Sequence, residues 1–376
     1  MRPLIPPRYY FDEDVFQEEQ RTVFARVWQL AGFTSDLRNE NDYVTAEVGG
    51  KSVVVQNFDG ELHAFANVCS HRFARLRSEP KGNAWLRCPY HGWIYNKEGI
   101  PYSIPARPRF DDLCPEVIQG LALKRYDVES CGGLVFVREQ TGGPSLREFL
   151  GESWELLESM SLALGEEVYH IEILFRCNWK VAIENGLESY HVGFVHQDTF
   201  KTLGTSGMDF RFGGDHSAWY TGVVDATRKQ MSKMAKLGKM PFPIDGYVHQ
   251  LVFPNVTVSS VGGTAFGFQF LRPLSATETM LTGIVFLSKM GADENVQAMV
   301  KEILGPSSGD FTLQVAHEDR GVCEAVQLGA PEAEGQPGIL SDEEERVYKF
   351  QEAYMAHMGG ALSAADAASL VPSIPV

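Results

Sequence analysis

The chain has 376 residues, 44% of them hydrophobic and 22% charged, with a net charge of −16; these are ordinary globular values at a length that suggests two domains. The acidic balance disfavours nucleic acid and anionic membrane surfaces as partners. No apolar run reaches the roughly 18 residues of a membrane span and the N-terminus lacks the apolar stretch of a signal peptide, so cytoplasm is the expected compartment.

Residues 1–40 read as a helical lead-in, because Phe16, Val23, Phe24, Val27 and Trp28 recur at helix-like spacing. From Tyr43 the period changes to two: Val44, Val48, 53–55 and 62–65 form short β segments punctuated by Gly49-Gly50 and by Asp59-Gly60, a hairpin signal. This β character runs to 132–137, and Thr141-Gly142-Gly143-Pro144 is the expected seam. Beyond it, 145–158 reads as helix, 168–175 as strand and 178–196 as helix. Four strand-like runs, 247–253, 256–260, 264–271 and 280–287, suggest an antiparallel meander. Ser341 opens a last helix with a capping box completed by Glu344, and Val347, Phe350 and Tyr354 form its buried stripe. The tail 359–376, rich in Ala, Ser and Gly, is expected to be partly unordered.

The first chemistry-bearing pattern lies among the β segments: Cys69-x-His71 and Cys88-x-x-His91, with sixteen residues between His71 and Cys88. Thiolate favours iron–sulfur or zinc. Two Cys with two His suit either tetrahedral zinc or a [2Fe–2S] centre of the Rieske kind, in which two His replace two Cys on one iron. Zinc fingers usually pair Cys with Cys and His with His, whereas here each knuckle carries one of each. A Rieske centre needs that interleaving, one iron taking the first residue of each knuckle and the other iron the second. Gly82, Pro89, Gly92 and Gly99 supply tight loop geometry. The other four of the six cysteines, Cys114, Cys131, Cys177 and Cys323, are scattered as free thiols of a reducing compartment would be.

The second pattern is Asn185-x-x-Glu188-x-Tyr190-His191, with His196 five residues on. Two neutral imidazoles and one carboxylate, with open positions left over, are the facial ligand set of oxygen-activating non-haem Fe(II). Five residues on an ideal helix end about 140° beyond a full turn. His191 and His196 therefore share a site only if the helix bulges or ends between them, and Gly193 is the natural place. A lone His pair more often satisfies hydrogen bonds in a core; the surrounding pattern reverses that reading here. The third ligand must come from elsewhere, and spacing does not choose among Asp310, Glu318, Asp319 and Glu324.

Residues 67–105 closely resemble the Rieske domain of the ring-hydroxylating oxygenase family. The resemblance makes Cys69 and Cys88 ligands of one iron, and His71 and His91 ligands of the other. The family often has Gly where Phe73 follows His71-Arg72, so this chain adds an aromatic beside the cluster. Residues 185–196 resemble the same family's catalytic signature, which implies a mononuclear Fe(II) on His191 and His196. By that resemblance Glu188 hydrogen-bonds an iron-ligating His and reaches His91 of an adjacent chain, orienting the imidazole. The family's usual residue there is Asp, and members acting on quaternary ammonium compounds tend to carry Glu. Residues 315–327 resemble the late segment that places the third ligand at Asp319, with Glu318 as runner-up and His317 peripheral.

The resemblance covers nearly the whole chain and implies an α+β fold. A small all-β Rieske [2Fe–2S] domain would span 41–140. A catalytic domain with a central antiparallel sheet flanked by helices would span 145–376, with 1–40 packed on it. It further implies the terminal oxygenase (α subunit) of a multicomponent system. Electrons come from an NAD(P)H-dependent reductase or ferredoxin, and O2 and a small-molecule substrate give a cis-diol, a hydroxylated or a dealkylated product. A homotrimer is expected, since cluster and iron of one family chain lie too far apart.

The substrate is less legible. Phe266, Phe268 and Phe270 share one strand face. Such a stripe is usually core; with Phe194, Trp219 and Tyr220 it would instead line a pocket. The same aromatics suit a flat slot for an aromatic substrate, the first reading, or a cage for a quaternary ammonium or N-methyl compound, the alternative. Arg228, Lys229, Lys233, Lys236 and Lys239 read as a solvated helix face or mobile lid ahead of a reductase-docking patch. A pure electron carrier would hold only the cluster, and a zinc-stabilised binding protein would be colourless; iron and sulfide analysis separates these readings from an oxygenase.

Overall fold

The computed structural model describes residues 1–139, 142–333, 335–336 and 338–359. Thr141 of the expected seam and 360–376 of the expected unordered tail therefore lie outside the described residues. The chain divides into two compact units, Gln20–Phe149 and Met1–Glu19 with Leu150–Val376.

Helix α1 (Glu13–Glu19) runs straight into a π turn, Gln20–Phe24, and strand β1 (Gln29–Phe33) begins just after Trp28. The helical lead-in is thus shorter than its periodicity suggested, because Gln29–Phe33 pairs antiparallel with a later strand and sheet pairing overrides the local period.

In the Gln20–Phe149 unit the strands that follow are β2 (Asp42–Val48), β3 (Lys51–Phe58), β4 (Glu61–Ala66), β5 (Lys81–Asn83), β6 (Ile94–Tyr95), β7 (Pro101–Ser103), β8 (Arg125–Cys131) and β9 (Leu134–Arg138), with a short helix α2 (Pro115–Gly120) before β8. Seven form one antiparallel sheet in the order β1-β9-β8-β4-β3-β2-β5, and β6 and β7 form a separate hairpin. The Gly49-Gly50 and Asp59-Gly60 turns link β2 to β3 and β3 to β4 with positive φ at both central residues. The strand period then sorts β3: Val53 and Val55 enter one core with Val135 and Val137, while Val54 enters another that contains Cys69, Cys88, Trp93 and Tyr95.

Helix α3 (Leu146–Leu150) closes the Gln20–Phe149 unit, and in the other unit α4 (Trp154–Leu162) precedes β10 (Leu164–Phe175). Helices α5 (Trp179–Gly186), α6 (Val192–Val195) and α7 (Phe200–Leu203) follow, then β11 (Ser206–Gly213), β12 (His216–Gly222), α8 (Asp225–Gly238), β13 (Tyr247–Val252), β14 (Val256–Val261), β15 (Ala265–Ser275) and β16 (Glu278–Ser288). The 36-residue α9 (Glu294–Gly329) and α10 (Glu345–Met358) close the described fold. The sheet is antiparallel throughout, in the order β10-β16-β15-β14-β13-β12-β11, so the expected meander extends by β11 and β12. The Ser341–Glu344 capping box is present, and Val347, Phe350 and Tyr354 are buried.

The expected single helix over 178–196 is two. Helix α5 ends at Gly186, α6 begins only at Val192, and Gly193 lies inside α6 and not at the break. The reason is local: the Glu188 carboxylate accepts the His191 N–H at 3.0 Å, a side-chain partner that competes with helical bonding.

Candidate metal centres

Two loops of the Gln20–Phe149 unit carry the first pattern, and they close alike. Cys69 N–H donates to the Ala74 carbonyl at 2.8 Å and Phe73 N–H to the Cys69 carbonyl at 3.0 Å; Cys88 N–H donates to Trp93 at 2.8 Å and Gly92 N–H to Cys88 at 3.0 Å. The fourth residue after each Cys is left-handed, Phe73 at φ 61° and Gly92 at φ 74°. Glycine adopts that backbone freely and Phe under strain. The matched loops bury Cys69 and Cys88 within hydrogen-bonding reach of each other, and set the His71 and His91 rings 4.7 Å apart. A thiol pair and an imidazole pair are the partition a Rieske cluster requires.

Electrostatics fit the same group. His71 Nδ1 is buried without a hydrogen-bond partner, a lone pair whose desolvation is uncompensated in the bare protein. Burial, then His91 and Arg72, push the His71 pKa down, keeping the neutral form that ligates metal. The Tyr95 hydroxyl accepts Ser70 N–H at 3.2 Å and lies 3.0 Å from Cys69 Sγ, which places a donor on that sulfur. Among the described residues, the one group of three or more metal-binding side chains whose ligand atoms lie within 4.8 Å of one another is not here; it is His191, His196 and Asp319.

The second site forms where α6 meets α9. His191 and His196 bracket α6, so its single turn turns both rings inward. Their Nε2 atoms are 3.1 Å apart. Asp319, from α9, brings Oδ1 to 3.1 Å from His196 Nε2 and 3.6 Å from His191 Nε2. Each far ring nitrogen is held by a different carboxylate: His191 Nδ1 by Glu188, and His196 Nδ1 by Glu318 at 2.6 Å. With both Nδ1 atoms donating, both Nε2 lone pairs face each other and the Asp319 carboxylate. Among the described residues, Asn185 Nδ2 is the one outside donor into this group, to Asp319 Oδ1 at 2.8 Å. Three converging acceptors call for a cation, and the residues fit Fe(II).

This geometry separates Asp319 from its neighbours. Glu318 also accepts the Thr199 hydroxyl at 2.7 Å and so backs His196. Asp310 is exposed, Glu324 accepts Arg176 N–H at 3.1 Å, and His317 lines a different surface hollow. Burial disfavours charge on His196, but the Asp319 and Glu318 carboxylates, as hydrogen-bond acceptors and nearby negative charges, outweigh it and raise its pKa.

The triad opens into a cavity of about 340 Å³. One row across the sheet forms its floor: Trp219, His249, Ser259, Gly267 and Val285 are consecutive cross-strand partners on β12 to β16 and all line it. Phe200 stands edge-on to His196 at 5.2 Å, to Phe311 at 5.3 Å and to Tyr247 at 5.7 Å. Of the aromatics the sequence suggested, Trp219 and Phe268 touch the cavity. Phe266 is buried against Phe242, Tyr220 lies under Arg211, and Phe194 is 76% exposed beside Tyr190. Phe200, Tyr247, Phe311 and His249 were not anticipated; only Phe200, four residues after His196, had a local signal.

Residues 27–126 match the family described as Rieske [2Fe-2S] domain, and residues 160–360 match ring hydroxylating alpha subunit (catalytic domain). The glycine betaine monooxygenase oxygenase subunit of Pseudomonas aeruginosa is 30% identical over 53% of this chain and 46% of its own length. The large oxygenase component of the naphthalene 1,2-dioxygenase system of Pseudomonas fluorescens is 30% identical over 71% of this chain and 67% of its own length. The chain spans about half the length of the first of these relatives. Among solved structures, a quaternary ammonium Rieske monooxygenase with L-carnitine has a TM-score of 0.71 at 20% identity, covering 95% of this chain and 94% of that one, a likeness of fold. No helix among the described residues is long and apolar enough to cross a membrane. With a catalytic-domain match over more than half of its length, the chain belongs to the ring-hydroxylating α-subunit family and carries that family's Rieske [2Fe–2S] and mononuclear-iron architecture.

Proposed function

We propose that this chain is the terminal oxygenase component of a multicomponent Rieske system, acting on a small organic substrate held in the cavity beside His191, His196 and Asp319. The observation that carries the reading is the convergence of those three ligand atoms within 4.8 Å in a chain that also holds the paired Cys and His loops. A [2Fe–2S] group on Cys69, Cys88, His71 and His91 supplies single electrons, and Fe(II) on the triad supplies dioxygen chemistry. The protein does the rest by position. Glu188 and Glu318 fix the tautomers of both imidazoles, Asn185 fixes Asp319, and Phe200, Tyr247 and Phe311 wall the site against water.

Glu188 has a second face. It also lines a cleft of about 1210 Å³ with Tyr10, Val195 and Val326 on its walls, and His91 is exposed. Both facts support Glu188 as a bridge to His91 of a second copy, hence a homotrimer, with electrons entering from a reductase or ferredoxin. An aromatic substrate suits the aromatic wall. A quaternary ammonium or N-methyl substrate is favoured by Glu188 itself and by relatives named for glycine betaine and carnitine; cation–π contact with the same wall would hold it. The test is iron, sulfide and visible spectrum on purified protein, then O2 uptake coupled to product with a surrogate reductase on both substrate classes. A colourless or iron-free protein ends the reading.

A further inference from the structure

His249 stands on the cavity floor, 7% exposed. Its Nδ1 faces the guanidinium of Arg346, 3.2 Å from both Nη1 and Nη2. A guanidinium only donates, so Nδ1 accepts and the neutral ring carries its proton on Nε2. Among the described residues no other side chain hydrogen-bonds that Nε2, and it is not one of the sealed-off unpartnered polar atoms, so it is open to the cavity that His249 lines. Arg346 is itself 1% exposed. Its other bonds go to Ser217 Oγ at 3.1 Å and to the Ser217 and His249 carbonyls at 3.4 Å. No carboxylate among the described residues lies within 4.0 Å of it. Burying an unpaired guanidinium is costly, and burial pushes the Arg346 pKa down to about 9. Burial and then Arg346 push that of His249 well down, so the imidazole stays neutral. Pinning α10 to β12 and β13 accounts for the bonds of Arg346 to Ser217 and the backbone. It does not account for a donor turned to the cavity and backed by a positive charge that no carboxylate neutralises.

We propose that His249 is a specificity-determining residue of the reaction proposed above, and that its Nε2–H receives a carboxylate or carbonyl oxygen of the substrate, with Arg346 as the positioning residue behind it. His196, Phe200, Tyr247 and His249 follow one another ring to ring, with successive centroids 5.2, 5.7 and 6.4 Å apart. The acceptor is therefore assigned to the substrate end away from the metal, with the aromatic wall facing the portion being oxidised. The requirement is the same for a trimethylammonium or an aryl skeleton.

The inference rests on the oxygenase reading, and the test separates the two. Trimethylglycine is paired with ethyltrimethylammonium, and anthranilate with aniline, so that each pair differs in its carboxylate. Affinity is read by titration calorimetry on the iron-loaded protein, and kcat and KM separately in turnover. In at least one pair the carboxylate member binds about tenfold tighter or more, the range of a hydrogen bond to a charged group. His249→Phe removes that preference, mainly in KM, and His249→Gln, which keeps a donor, restores part of it. Equal binding within both pairs, or a preference that survives His249→Phe, overturns the proposal; the paired comparison in the unaltered protein needs no variant to fold. Iron and sulfide on the same samples keep the readings apart: missing iron sinks the oxygenase, and full iron with no preference sinks only the role of His249.

Discussion

The two metal-binding regions are assembled on opposite principles. Every candidate ligand of the cluster loops lies between Cys69 and His91, and two hydrogen-bonded turns of one pattern present them. The iron triad instead joins two residues flanking the single turn α6 to Asp319, more than a hundred residues later on α9. A local site survives as long as its loops close. A distributed site survives only while α9 keeps its place across the sheet, so its ligands are exchanged or lost more easily than its fold. Paired substitutions test this directly. His71→Ala should bleach the cluster spectrum and release labile sulfide. His191→Ala should leave colour and sulfide intact and lose one iron of about three per chain. Turnover should fall at least about a hundredfold in both. A bleached His191→Ala protein would show that the regions are not independent.

Within the iron site a second contrast follows. Glu188 and Glu318 hold the two imidazoles in the same way, yet only Glu188 also lines the wide cleft. Glu318→Gln should weaken iron affinity by roughly tenfold, the usual cost of losing a carboxylate behind a metal-bound His, with turnover restored by excess iron. Glu188→Gln, with excess iron to keep both metals in place, should still lose coupled turnover by about a hundredfold. Equal rescue of the two variants would remove the bridging role.

The same contrast explains what the sequence disclosed. Cys69, His71, Cys88 and His91 are legible because their chemistry and their spacing lie in one window. His191 and His196 were legible as a pair, but the break that lets them converge was not: Gly193 looked like the hinge, and Glu188 capping the His191 N–H makes it earlier. The 36-residue α9 carries Gly305-Pro306 and Gly309 in its interior, which weaken a local helical signal. Gly309 is a packing residue, since a Cβ there would lie 2.5 Å from the Tyr169 ring. Hence spacing alone could not choose Asp319. The basic run was plain: Arg228, Lys229, Lys233, Lys236 and Lys239 are exposed on or just after α8. The cavity wall was not, because Phe200, Tyr247 and Phe311 come from three separate elements and meet only after folding.

Acid–base behaviour should also distinguish the units. Glu184 on α5, one turn before Glu188, is partly buried at the wall of the wide cleft; desolvation drives its pKa up to about 7, although Tyr10 and Gln351 hydrogen-bond it at 2.9 Å. The folded state therefore keeps a proton that the unfolded chain releases near pH 4.5. Stability contributed by this group is present below about pH 4.5 and is lost as pH rises to about 7, by about 3 kcal/mol in all. Glu184→Gln should remove that slope, so its stability relative to the parent rises between pH 5 and pH 8 in denaturant titrations. An unchanged difference between variant and parent across that range would place the proton elsewhere.

The smallest expected effect returns to the cluster loops, at the one place where their matched geometry is uneven. Phe73 holds the left-handed backbone that Gly92 holds in the other loop, and its ring is 80% exposed. Phe73→Gly relieves a strain of about 1–2 kcal/mol, partly offset by the greater freedom of glycine in the unfolded chain, roughly 0.5–1 kcal/mol. The net gain should be about 1 kcal/mol or less, visible as a modest rise in the temperature at which the cluster spectrum is lost. Phe73→Ala is the control, since it removes the exposed ring but keeps a Cβ on the strained backbone. If Ala stabilises as much as Gly, the ring and not the backbone is the source of the cost, and the two loops are closer to equal than their φ angles suggest.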